Sequence, residues 1–225
     1  YYGHIDLGGQ IDGDNIFGYR INALYQDGDS VAGVKKDQKF VSLAFDYQPT
    51  HNLIMDFKYV HRELESSNQK MGVWLSSGAT RPTIDVSKNY SPDWSATEEK
   101  NDRLSTSLKW NINDIFSIRS SLLYEESYRA LLGSASRIAR EDGLYDAYPY
   151  KYPSKGQEYE NWSGNIYLDS KFETLGVEHL LTVGYSANSY TYFRTDIWGV
   201  SGNALIGVSL EEIRDADESN TIIES

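Results

Sequence analysis

The sequence predicts an all-β chain of antiparallel, meandering strands, and three observations predict it. Apolar and polar residues alternate with period two in segment after segment. The segments are separated by short clusters of Gly, Asn and Asp, the residues that tight turns require. Eighteen Tyr, seven Phe and five Trp are a heavy aromatic load, and with only five Pro they suit strands.

Taken in order, Tyr1 to Ile11 forms a first strand. In the second, Phe17, Tyr19, Ile21, Ala23 and Tyr25 share one face, with Gly18, Arg20, Asn22 and Gln26 on the other. Val41, Leu43, Phe45 and Tyr47 then alternate with Ser42, Ala44 and Asp46. Leu53, Met55, Phe57 and Tyr59 alternate with Asp56 and Lys58, Ile54 being an exception. Leu104, Thr106, Leu108 and Trp110 oppose Arg103, Ser105, Ser107 and Lys109, and Phe116, Ile118, Leu122 and Tyr124 oppose Ser117, Arg119, Ser121 and Glu125. Trp162, Ile166, Leu168 and Phe172 oppose Ser163, Asn165, Asp169 and Lys171. Leu181, Val183, Tyr185 and Ala187 oppose Thr182, Gly184, Ser186 and Asn188, which completes eight strands.

Connection lengths carry a second pattern. Asp12-Gly13-Asp14-Asn15, Pro49-Thr50-His51-Asn52, Asn111-Ile112-Asn113-Asp114 and Leu175-Gly176-Val177-Glu178 read as tight turns. Longer excursions alternate with them: Asp27 to Lys36, Ser66 to Thr97, Leu132 to Glu158, and everything after Phe193. A soluble sandwich has no reason to gather its long loops at one end, whereas an outer-membrane barrel has short periplasmic turns and long extracellular loops. Aromatic placement agrees. Trp110, Phe116, Tyr47 and Phe172 lie beside tight turns, while Tyr25, Tyr59, Tyr124 and Tyr128 lie toward the long loops, which makes two belts. Runs of about ten residues also suit a tilted membrane strand. The expected fold is therefore an antiparallel transmembrane β-barrel segment.

Composition excludes other classes. No stretch approaches the roughly 18 consecutive apolar residues of a spanning helix, and mean hydropathy is -0.54. A net charge of -12 offers no basic face to a nucleic-acid backbone, so no nucleic-acid partner is expected. The absence of Cys removes disulfide frameworks and thiolate metal sites. The opening Tyr1-Tyr2-Gly3 carries no targeting signal, so the sequence reads as processed or as an internal segment.

The wording of several stretches resembles the early barrel of TonB-dependent siderophore receptors. These are Gly3-His4-Ile5-Asp6-Leu7-Gly8-Gly9, the FGYR-type strand from Phe17 with its Asp27-Gly28-Asp29-Ser30 loop, Val41 to Asn52, Ser87 to Trp94, and Asp102 to Tyr124. The resemblance covers roughly residues 1 to 195. It implies that residues 1–225 are part of a roughly 22-stranded barrel filled by an N-terminal plug, the plug and the remaining strands lying outside this sequence. Its function would be uptake of a ferric siderophore across a Gram-negative outer membrane. Its partners would be the siderophore, the TonB complex reached through the missing N-terminal region, outer-membrane lipid and lipopolysaccharide. No cofactor is expected, because iron arrives as a siderophore chelate. A receptor of the same type for a vitamin or an oligosaccharide, a passive or enzymatic outer-membrane barrel and a soluble all-β carbohydrate-binding module are the alternatives.

No enzymatic constellation is legible. His4 and His61 fall on strands and His51 and His179 beside turns, without the spacing that puts two ligands on one face. Ser134 and Ser136 lack a nucleophile elbow, and Glu125-Glu126 points to opposite faces. The polar faces are instead rich in charge: Arg20, Lys58, Arg103, Lys109, Arg119, Arg129 and Lys171 with Asp6, Asp46, Asp56, Glu125 and Asp169. They either pair with one another across neighbouring strands or, for Arg20, Lys58, Arg103, Arg119 and Arg129, face the plug, where hydrated salt bridges suit a part that must be released. Candidate ligand-binding groups lie on the long loops: Trp74, Tyr90 and Trp94, then Tyr145, Tyr148, Tyr150 and Tyr152, then Trp198. Rigid aromatics can hold a compact polar chelate by stacking and cation–π contacts; they can equally pack the loops against each other. The acidic tail from Ser209 to Ser225 reads as a solvated loop segment.

Overall fold

The eight expected strands form one antiparallel meander, each paired with its successor through a ladder of backbone hydrogen bonds that is interrupted only by a register shift between Tyr47 and Thr50 among the described residues. The structure is a computed structural model and describes residues 1–30, 33–68, 72–151, 156–193 and 200–221, without the side chains of 134–136, 150, 151, 200, 201 and 221. In chain order the strands are β1 (Tyr2–Gln10), β2 (Phe17–Asp29), β3 (Lys35–Thr50), β4 (Leu53–Ser67), β5 (Trp74–Leu75), β6 (Ala96–Asn111), β7 (Phe116–Ala139), β8 (Tyr145–Lys151), β9 (Gln157–Thr174), β10 (Val177–Phe193), β11 (Val200–Ser201) and β12 (Leu205–Val208). Two short helices follow, α1 (Leu210–Arg214) and α2 (Glu218–Thr221). The meander runs β1-β2-β3-β4-β6-β7-β9-β10; β8 pairs with the far end of β7, and β5, β11 and β12 add to that end.

Register turns eight local alternations into two coherent faces. Ile21, Leu43, Tyr59, Leu104, Tyr124 and Trp162 stand in one row across β2 to β9. The next rows toward the tight turns contain Tyr19, Phe45, Phe57 and Leu122, then Phe17, Tyr47, Met55, Leu108 and Ile166. A slip of one residue in any strand would send its apolar set to the other face, so the apolar rows are what hold the register. Directly opposed aromatics reinforce it: the Tyr124 and Trp162 ring centroids lie 4.4 Å apart and Phe17 stacks on Tyr47 at 4.7 Å. On the opposite face the corresponding row is Gly18, Asp46, Asp56, Ser107, Ser121, Asn165 and Ser186.

Nothing among the described residues covers the apolar face. Leu122, Trp162, Ile166, Leu168 and Val183 are all exposed. Contiguous apolar surface on this scale marks a face that meets another apolar phase or partner, not water. Among the described residues the buried apolar core is confined to Ala139, Tyr145, Ala147, Leu210 and Ile213, at the end where β7 and β8 meet.

The four tight turns lie at the other end. Asp12 accepts the Ile16 and Phe17 amides, and Asn113 accepts those of Ile115 and Phe116, which satisfies the donors left where each new strand begins. The β9–β10 turn is tighter than the sequence suggests, two residues rather than four, with Leu175 at φ 53° and Gly176 at φ 79°.

Two expectations are corrected. The long excursion from Leu132 to Glu158 is not all loop: β7 continues to Ala139 and returns as β8. Alternation fails there because the β7–β8 register shifts between Ser134 and Ser136. Nor is the acidic tail all loop: Leu210–Arg214 and Glu218–Thr221 are helical, although Glu211, Glu212, Asp215 and Asp217 do face solvent. Ser209 caps α1 through a capping box with Glu212, and the apolar side, Leu210 and Ile213, is buried against the β7–β8 end.

Candidate functional site

Two regions gather the functional side chains: the polar face of the sheet and the cap at its long-loop end. On the polar face the charges pair across strands. Arg103 opposes Glu125 in register and reaches it at 2.5 Å. Arg20 reaches Asp6 at 2.7 Å and Arg119 reaches Asp169 at 2.6 Å, both diagonally. Arg129 lies 4.0 Å from Glu99, and Arg62 lies 3.9 Å from the same carboxylate. Lys58 has no carboxylate within ion-pair distance among the described residues. Hydroxyls and amides complete the ladder: Ser107 donates to Asp56 at 2.6 Å, Asn165 to Ser121 at 2.7 Å and Thr182 to Asp169 at 2.7 Å. The side chains of Arg20, Arg103, Arg119 and Arg129 all remain about half exposed or more, so each bridge contributes little to stability and is free to exchange partners.

The cap is built from three segments remote in sequence: the loop 72–95, the β7–β8 hairpin, and α1. Tyr145 is buried in its core, and Tyr90 packs against the same cluster. Trp94 donates its indole N–H to the Ala216 carbonyl at 2.8 Å and so ties the loop to the tail. These three aromatics hold the cap together, whereas Trp74 on β5 and Tyr148 on β8 are exposed on it. Tyr152 and Trp198 lie outside the described residues, as does the side chain of Tyr150.

The cap contains a residue that sequence reasoning missed. Arg137 is 2% exposed, donates to the Tyr90 carbonyl at 2.9 Å and to Ser91 Oγ at 3.4 Å, and leaves its Nε without a partner. It forms no ion pair among the described residues. Burial alone pulls its pKa down to about 10 from the usual 12.5, a penalty on the order of 3 kcal/mol for the charged form. Arg137 also lines a cavity of about 420 Å³ with Val73, Leu75, Ile84, Tyr90 and Leu210. No local signal reports it, since its burial depends on residues far away in the chain.

Comparison with solved structures identifies the fold. The chain superposes on BauA, the ferric preacinetobactin receptor of Acinetobacter baumannii, with a TM-score of 0.76 at 20% identity, over 90% of this chain and 31% of that one. It matches FpvA of Pseudomonas aeruginosa, solved with heterologous pyoverdines, with a TM-score of 0.75 at 18% identity, over 97% of this chain and 29% of that one. It matches Fiu, the ferric-catecholate import receptor of E. coli K12, with a TM-score of 0.67 at 14% identity, over 88% and 34% respectively. No protein-family model and no curated protein sequence matches the chain. The chain spans about a third of the length of these receptors, and over that span its fold is that of a segment of their β-barrels.

Proposed function

We propose that this chain is part of the barrel wall of a Gram-negative outer-membrane receptor that takes up a ferric siderophore, energised by the TonB complex through a region outside these 225 residues. The observation that carries the proposal is the pairing of one uncovered apolar face with one face of exposed ion pairs on a single meander. Water cannot wet the first face cheaply, and a dry core cannot accept the second.

The apolar face also has membrane height. From Phe172, near a tight turn, to Trp162 is ten residues of β9, about 33 Å along a strand and about 25 Å along the membrane normal at a barrel tilt of about 40°. Immediately beyond the row of Tyr59, Tyr124 and Trp162 the same face turns ionic, with His61, Asp102, Glu126 and Glu160 in register. That change suits a boundary at the headgroups and lipopolysaccharide. The polar face then lines the lumen, where Arg20, Lys58, Arg103, Arg119 and Arg129 are placed to meet a polar plug and release it. The cap stands outside the membrane, where Trp74 and Tyr148 are free to meet an arriving chelate. The solved structures of like fold are named as receptors for ferric preacinetobactin, pyoverdine and ferric catecholates, which supports a ferric chelate as cargo.

The test is uptake of radioactive iron by cells that lack their own siderophore receptors and express the full-length protein. A panel of ferric catecholates, ferric hydroxamates and ferripyoverdine should yield at least one substrate accumulated only when TonB is present. Absence of TonB-dependent accumulation across the panel, with cyanocobalamin or a maltooligosaccharide taken up instead, would transfer the cargo to a vitamin or a sugar.

A further inference from the structure

We propose that the cavity in the cap is a binding subsite for a small organic carboxylate with an apolar or aromatic body, held by Arg137. The inference goes beyond the receptor reading and does not depend on what the barrel transports.

Three features of the cavity carry it. First, Arg137 is a buried guanidinium with no carboxylate partner among the described residues, only one carbonyl, one hydroxyl and a free Nε. A buried charge is ordinarily retained only with a counter-charge, because removal from water is costly and the missing attraction is what offsets it. Second, the lining is cationic although the chain as a whole is strongly acidic: Arg81, Lys88 and Arg137 against Asp85, whose carboxylate already accepts from the Ser87 amide and hydroxyl. Third, the remaining wall is apolar, and about 420 Å³ is far more room than an inorganic anion needs. Val73, Leu75 and Ile84 can cover a hydrocarbon body while the planar guanidinium fork pairs with a carboxylate. The cationic side chain is then neutralised by the ligand, which reverses the penalty of its burial.

The competing role for Arg137 is that of a staple, its two hydrogen bonds tying Tyr90 and Ser91 of the loop to β7. The two roles predict different outcomes. The probe is benzoate, with benzamide as its uncharged counterpart of equal shape, titrated into the full-length protein in detergent and read by ligand-detected NMR. Benzoate should bind and benzamide should bind at least tenfold more weakly. Arg137→Met should weaken benzoate ten- to a hundredfold, the range expected for one charge-assisted pair, and Arg137→Lys should retain part of it. The cap of Arg137→Met should resist trypsin as well as the parent does, since the substitution removes an unpaired buried charge. Val86→Glu, which adds a carboxylate at an exposed position on the cavity rim, should weaken benzoate several-fold and serves as the second variant if Arg137→Met loosens the cap. Equal binding of benzoate and benzamide, no binding of either, or undiminished benzoate binding by both variants would overturn the proposal. Failure of iron uptake would leave these measurements standing.

Discussion

Replacing Leu122 by Arg and, separately, its neighbour Ser121 by Arg tests which face of the sheet meets lipid. Leu122 lies on the apolar face between Phe116, at the tight-turn end of β7, and Tyr124 of the far belt, and its side chain is 48% exposed. An Arg inside this apolar band should cost roughly 2 to 3 kcal/mol, below the most that a midplane position would exact, because the guanidinium must either enter hydrocarbon or draw water and headgroups inward. Ser121 lies on the polar face between Ser107 and Asn165, and its Oγ accepts the Asn165 amide at 2.7 Å. Losing that bond should cost about 1 kcal/mol, and the new side chain has an aqueous, carboxylate-bearing face to enter. The two variants should therefore differ by about 1 to 2 kcal/mol, roughly five- to thirtyfold in the folded-to-unfolded ratio. Urea unfolding of the full-length protein from lipid bilayers reads this as a shift in midpoint at constant slope. Equal penalties, or a larger one for Ser121→Arg, would refute the assignment of faces.

Leu175 is 99% exposed and held at φ 53°, so Leu175→Asn should stabilise the β9–β10 hairpin by about 1 kcal/mol in the same unfolding assay; a destabilised variant would mean that the turn is not of the two-residue kind. The Glu212 carboxylate is held below its ordinary pKa of 4.5 by the Ser209 amide and hydroxyl. Its contribution to capping α1 is therefore complete above that value and lost as the pH falls through the lowered one. Proteolysis of the cap should accelerate on acidification through this window in the parent and be pH-insensitive there in Glu212→Gln, whereas identical profiles would remove Glu212 from the cap. Trp94→Phe keeps the ring but loses the bond to the Ala216 carbonyl and should loosen the tail by about 1 kcal/mol, seen as faster hydrogen exchange at α1; unchanged exchange would mean that the bond does not form.

What the sequence revealed and what it hid follow from the range of each signal. Alternation is a property of neighbouring residues, and the turn preferences of Asp12 and Asn113 are equally local. All eight strands and the identity of both faces could therefore be read from them, and the register later joined Leu43 to Tyr59 and Ser107 to Ser121 as the alternation required. The far end of β7 was obscured because Gly133, Ser134, Ala135 and Ser136 carry no apolar contrast and the register shifts among them. The helix α1 did leave a signature, Ser209 three residues before Glu212 with Leu210 and Ile213 on one side. The surrounding acidic residues outweighed it. The cap was hidden for a different reason: Trp94 meets Ala216, and Arg137 meets Tyr90, across long separations that no window of sequence contains. Aromatic composition alone could not separate Tyr145 and Trp94, which pack the cap, from Trp74 and Tyr148, which face outward.

The most direct measurement is depth-resolved quenching of single tryptophans in the full-length protein, with every other tryptophan replaced by Phe and the protein reconstituted in vesicles of brominated lipids. Trp110 and Trp162 are both on the apolar face, at opposite belts, while Trp94 is in the cap. A lipid-facing sheet predicts strong quenching of Trp110 and Trp162, greatest for bromine placed near the headgroups, and none of Trp94. Fluorescence of Trp110 and Trp162 that is indifferent to bromine at every depth would contradict it.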